Sequence, residues 1–188
     1  MKYTLFAVAL FAVACGGDTP SSPSGASSAA AVQALQDAAF AGDTNALKTL
    51  IKQKVDVNVP NENLQTALML ASFEGHTPAV KILLESGADV KAQDMNQRTA
   101  LVYASSGPSP ATVEVLLAGG ADVATQDVEG WTALMVAASE GQAENVKALL
   151  RYGASPAIRD GDGDDAATFA KNNGHSAVVK ILEEAGSN

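Results

Sequence analysis

Thr66-Ala67-Leu68, Thr99-Ala100-Leu101 and Thr132-Ala133-Leu134 recur at steps of 33 residues. Gly87, Gly120, Gly153 and Gly186 keep the same step, and so do Asp94, Asp127 and Asp160. One period shared by several markers means a chain built from copies of one supersecondary unit, each too small to bury its apolar face alone. Ser86-Gly87-Ala88-Asp89-Val90 and Gly119-Gly120-Ala121-Asp122-Val123 are near copies, and Lys54-Val55-Asp56-Val57 stands one step upstream with lysine for glycine. Within a unit, Thr132 is placed to cap a short helix through its hydroxyl. Leu134, Ala137 and Ala138 form the narrow apolar face of that helix, and Gly141 ends it. A second helix is predicted from Asn145 to Tyr152, with Val146, Leu149 and Leu150 turned inward. Gly153 then supplies the left-handed terminator that a side chain resists. Alanines at 71, 104, 137 and 170 let helices approach closely. Aromatic residues are only 5% of the chain, so the core has to be aliphatic.

The fullest copy is Asp127-Val128-Glu129-Gly130-Trp131-Thr132-Ala133-Leu134-Met135-Val136-Ala137-Ala138-Ser139-Glu140-Gly141. It resembles the ankyrin repeat, D-x-x-G-x-T-P-L-H-x-A-A-x-x-G-H, over residues 31–188. The resemblance implies an all-α ankyrin-repeat solenoid of about five helix pairs with projecting β-turn loops. The repeats run approximately over 31–60, 61–93, 94–126, 127–159 and 160–188. The first lacks the projecting turn and reads as a cap, and Glu183-Glu184 gives the last a polar outer face, as a terminal repeat requires. The family's proline is alanine at 67, 100, 133 and 166. Its histidine is Met69, Val102, Met135 and Thr168, so the first helices are expected to lose a threonine–histidine hydrogen bond and rely on apolar packing. Pro108 replaces the inter-helix glycine in the third repeat, so that loop is expected to be stiffer and differently shaped.

Residues 1–14 place Lys2 ahead of the apolar run Leu5 to Ala14. That run is too short to span a bilayer, which takes about 20 residues, and fits a secretory signal peptide. Ala12-Val13-Ala14-Cys15 resembles a bacterial lipobox, which implies cleavage before Cys15 and lipidation of its thiol. Residues 15–30, rich in Gly, Ser, Pro and Ala, read as a flexible tether. The expected location is a periplasm-facing lipoprotein, touching membrane only through its anchor. By resemblance to enterobacterial sorting, Gly16 after the cysteine favours the outer membrane.

Lys plus Arg number 12 against 21 Asp plus Glu, a net charge of −9. That balance argues against a nucleic-acid ligand, whose phosphates need a basic face. The single cysteine excludes an intrachain disulfide framework. No G-x-S-x-G, H-E-x-x-H, C-x-x-C or phosphate-cradling loop occurs, so no enzyme and no cofactor is expected. His76 and His175 stand three repeats apart and read as structural. Asp160, Asp162 and Asp164 sit at alternate positions like the front half of a calcium loop, a weak candidate. An aspartate occupies the sixth position that a calcium loop gives to glycine, and Lys171 stands where a closing glutamate belongs.

What remains is a binding surface. In ankyrin-like stacks, the projecting turns and first helices form a concave face, which here holds Gln65, Phe73, Glu74, Met95, Arg98, Glu129, Trp131, Glu140 and Asp164. Trp131, the sole tryptophan, and Arg98 are of the types that dominate binding energy, with Phe73 adding apolar area. Tyr103 aligns with Leu70, Val136 and Phe169 and is expected in the core. The expected function is that of a membrane-tethered protein-binding module, monomeric, with an acidic rim steering basic partners. Two alternatives are an inhibitor or immunity protein blocking a toxin or envelope enzyme, and a stress-protective accessory that leaves its partner active.

Overall fold

Residues 28–186 are described by a computed structural model; the signal segment, Cys15 and most of the tether lie outside the described residues. Among the described residues ten helices form five pairs: α1 (Ala29–Phe40) with α2 (Thr44–Lys52), and α3 (Ala67–Phe73) with α4 (Thr77–Glu85). They continue with α5 (Ala100–Ser106) and α6 (Pro110–Ala118), α7 (Ala133–Ser139) and α8 (Ala143–Arg151), and α9 (Ala166–Asn172) and α10 (Ser176–Gly186). No strand occurs among the described residues. The odd-numbered helices pack on one another in sequence, as do the even-numbered ones, and each pair also packs internally. The result is a two-layer solenoid in which every repeat rests on its neighbours.

The repeated residues explain the layers. Leu68, Leu101 and Leu134 are fully buried from the odd row, and Leu83, Leu116 and Leu149 from the even row. Ala71, Ala104, Ala137 and Ala170 are buried between the rows, where any larger side chain would push the helices apart. Thr132 caps α7 as expected, its hydroxyl accepting the Met135 N–H at 3.3 Å. The Met135 sulfur accepts the Thr132 N–H in return, at 3.4 Å. The fourth repeat therefore keeps a reciprocal cap across the position of the missing histidine, beside the apolar packing expected of the buried Met135. In the last repeat Asp165 takes over, accepting both the N–H and the hydroxyl of Thr168. Those bonds, the backbone one foremost, hold its carboxyl below the usual carboxylate range.

Three details differ from, or sharpen, the sequence reading. Ala29 and Ala30, expected in the tether, open α1, because Ser28 caps it by accepting the Ala31 N–H at 3.2 Å and alanine is the best helix former. Helix α8 starts at Ala143, two residues before Asn145, and ends at Arg151. The Pro108 loop does differ in shape: α5 ends in an extended Gly107, φ −102° and ψ 167°. The Gly107 carbonyl accepts from the Asn145 side chain at 2.7 Å, tying that loop to the next repeat.

Both histidines join neighbouring repeats. The Nε2–H of His76 donates to the Phe40 carbonyl and that of His175 to the Ser139 carbonyl, each at 3.0 Å. Gly141, two residues past the acceptor Ser139, shows why glycine stands beside such a clasp. Its φ is +71°, and a Cβ there would stand 2.6 Å from the His175 ring. Gly153, φ +87°, has open space around it. Gly153→Ala should cost only the backbone strain, about 1–2 kcal/mol. Gly141→Ala should cost clearly more, because the ring must also move; urea unfolding of the two variants checks the order.

Candidate functional site

Four projecting turns, or fingers, are built on one side-chain oxygen each. Oδ1 of Asn61, Asp94, Asp127 and Asp160 accepts the N–H two residues on, at 2.9, 2.8, 3.0 and 3.0 Å. The same oxygens accept the N–H four residues on, at 2.9, 2.8, 2.9 and 2.8 Å. The fingers are then laced together: Met95 N–H donates to the Asn63 carbonyl, Val128 to Asn96 and Gly161 to Glu129, at 3.0–3.2 Å. This places Gln65, Arg98, Trp131 and Asp164 at equivalent positions, where the fingers meet the odd-numbered helices.

Side chains brace the second and third fingers. The Tyr103 hydroxyl donates to Asp94 Oδ2 at 2.7 Å and accepts from Gln65 Nε2 at 2.8 Å. Arg98 Nε lies 3.2 Å from Oδ2 of the buried Asp127. Tyr103 is core, as expected, but with a polar duty that its aliphatic counterpart Leu70 lacks. Burial first, and its bond to the Asp94 carboxylate second, push the hydroxyl up from the ordinary 10 to about 12.

Two hollows open on the face made by the fingers and odd-numbered helices. A cleft of about 200 Å³ is lined by Phe73, Val102, Tyr103, Ser106, Trp131 and Val136, with Arg98, Asp127 and Glu140 at its polar edge. The residue equivalent to Phe73 is Ser106 in the next repeat and Ser139 in the one after, and this loss of bulk leaves room before α5 and α7. Adjoining it through Trp131 and Glu140, an open trough of about 870 Å³ runs along repeats four and five. Five carboxylates line it, those of Glu129, Glu140, Asp160, Asp162 and Asp164, and no lysine or arginine does.

Of the nine residues expected to contact a partner, Phe73, Arg98, Trp131 and Glu140 line the cleft, while Glu129 and Asp164 line the trough. Gln65, Glu74 and Met95 line neither hollow. Gln65 is occupied within the protein by Tyr103, and Glu74 caps the end of α3. Met95 is 64% exposed at the tip of a finger, where Val128 occupies the equivalent place. Trp131 is only 7% exposed and packs against Phe169, the rings tilted by 50° with 4.1 Å between their centres, so its first task is to join repeats four and five. Trp131, expected to contact a partner, thus lines the cleft while most of its surface is taken up within the protein. Val102, Ser106, Val136 and Phe169 were not expected to line a hollow, and the only sequence sign of them is the change from Phe73 to serine.

Cys15, the expected lipidation site, lies outside the described residues. Asp160 spends Oδ1 on its own turn, and among the described residues no group of three or more His, Cys, Asp or Glu side chains is placed to hold a metal ion. The calcium candidate Asp160, Asp162 and Asp164 is therefore not brought together as a site.

The brace gives a test. Because folding favours the protonated Tyr103, its contribution to stability is complete below pH 10 and is lost as pH rises toward 12. Ultraviolet titration of the folded chain should show one tyrosine ionising near pH 12. Tyr103→Phe should remove that late phase and cost about 1–3 kcal/mol, because Asp94 and Gln65 lose their partner.

Comparison with curated proteins returns no match. A family model described as ankyrin repeats (3 copies) matches residues 35–127 and 101–188. With matched period, helix pairs, fingers and capping threonines, the chain belongs to the ankyrin-repeat family.

Proposed function

We propose that this chain is a non-catalytic protein–protein interaction module, held at a membrane by lipid on Cys15 and facing the periplasm, and that it binds a protein partner across the face formed by its fingers and odd-numbered helices. The observation that carries the reading is the apolar cleft between Phe73 and Trp131, open to solvent on a face whose backbone is fixed by side-chain oxygens and inter-finger bonds. A rigid, partly apolar hollow loses little freedom on binding, which favours affinity at modest contact area. Phe73, half-buried, is the apolar anchor. Arg98, paired to Asp127, shapes the polar edge of the cleft. The lipoprotein reading rests on Lys2, the apolar run and Ala12-Val13-Ala14-Cys15. Among the described residues no helix is long and apolar enough to cross a membrane.

Trp131→Ala is a poor probe, since removing a buried tryptophan costs about 3–5 kcal/mol in its own right. Phe73→Ala and Ser106→Leu, which empties one wall of the cleft and fills its space, are better. In capture from a native membrane extract, the parent chain should retain a stoichiometric protein that both folded variants lose at least tenfold. Equal retention by parent and variants would place the binding surface elsewhere.

A further inference from the structure

The cleft and the trough differ in chemistry but share Trp131 and Glu140, so a ligand crossing one meets the other. At about 200 Å³, the cleft is smaller than the roughly 300–1,000 Å³ typical of whole small-molecule sites. It suits a single apolar side chain. The trough has the opposite character. Glu129, Glu140 and Asp162 are exposed along it. The arginines of this region are engaged elsewhere, Arg98 with Asp127 and Arg159 with Asp165 and the Gly163 carbonyl. The negative charge of the trough is thus left for a ligand to match. Packed helices space at about 8–10 Å, so the path from Phe73 to Asp164 crosses on the order of 20–30 Å. An extended chain covers that in about 6–9 residues at about 3.3 Å each.

Resting on the binding-face reading above, we propose that the groove takes an extended, positively charged segment of a protein partner, with one apolar side chain seated between Phe73 and Trp131 and lysine or arginine side chains laid along the trough. The two halves give the segment a direction. Its anchor lies over the third repeat, between the second and fourth, and its basic residues over the fourth and fifth. Charge complementarity also sets the kinetics: association should be fast at low salt and slow at high salt.

Displayed random 12-residue peptides selected against the full-length chain, purified in detergent, test this directly. Enriched peptides should carry net positive charge and one recurrent apolar position. Affinity for a synthetic copy of an enriched peptide should fall at least tenfold in the triple variant Glu129→Gln/Glu140→Gln/Asp162→Asn. All three residues are exposed, so the fold should be unchanged. Affinity should fall by a similar factor in Phe73→Ala and in Ser106→Leu. Enrichment of neutral or acidic peptides, or of none, would overturn the proposal. Peptides lost in the cleft variants but indifferent to the triple variant would leave the binding face standing and remove the basic segment. Peptides that respond to the triple variant alone would remove the apolar anchor and with it the two-part ligand. Indifference to every variant would remove both readings.

Discussion

One carboxylate or amide oxygen at the base of each finger sets the geometry of the whole binding face. Asn61, Asp94, Asp127 and Asp160 close their turns by accepting two backbone N–H groups, and in doing so aim residues 65, 98, 131 and 164 alike. Two of these acids, Asp94 and Asp127, are buried. Burial of an acid is tolerated only when its charge is well bonded, and here Tyr103 and Arg98 complete the set. The fingers are consequently tied to the helices beneath them, and their backbones to one another. Local turn chemistry, repeated at a fixed step, becomes a continuous wall.

That repetition is why so much of the architecture is legible in the sequence. Threonine, leucine, alanine and glycine each recur where the same job recurs, and Lys54 even adopts the left-handed conformation, φ 61°, of the glycines it replaces. Less legible is any side chain that is used across repeats. The indole of Trp131 looks like a surface anchor in a single repeat, but Phe169 of the next repeat covers it. Gln65 looks like a contact residue until Tyr103, 38 positions later, takes its amide. Nothing in the sequence marks the Met135 sulfur as the acceptor of the Thr132 N–H. The start of α1 was misplaced because Ser28 and the alanines after it resemble a tether by composition alone. Nothing periodic marks a cleft; it arises from a departure, serine at 106 and 139 where Phe73 has bulk.

The acidity of the chain also acquires a location. A net charge of −9 spread evenly would serve only solubility. Five of the 21 acidic residues, however, face one trough at the C-terminal end of the solenoid, next to an apolar hollow. An even distribution would repel partners of like charge from all sides, whereas this one orients a basic partner on one face. The terminal repeat bears this load without compromising the core, because Ala166, Ala170, Val178 and Leu182 remain buried beneath the acidic turn.

Site-specific photo-crosslinking in native membranes tests the central claim most directly, with the reactive group carried in one chain at position 140 and in another at position 147. Glu140 borders both hollows, whereas Lys147 is exposed on α8, in the even-numbered row. A discrete protein adduct from position 140 and none from position 147 is the predicted result. Adducts from position 147 alone, or the same adduct from both positions, would contradict the assignment of the binding face.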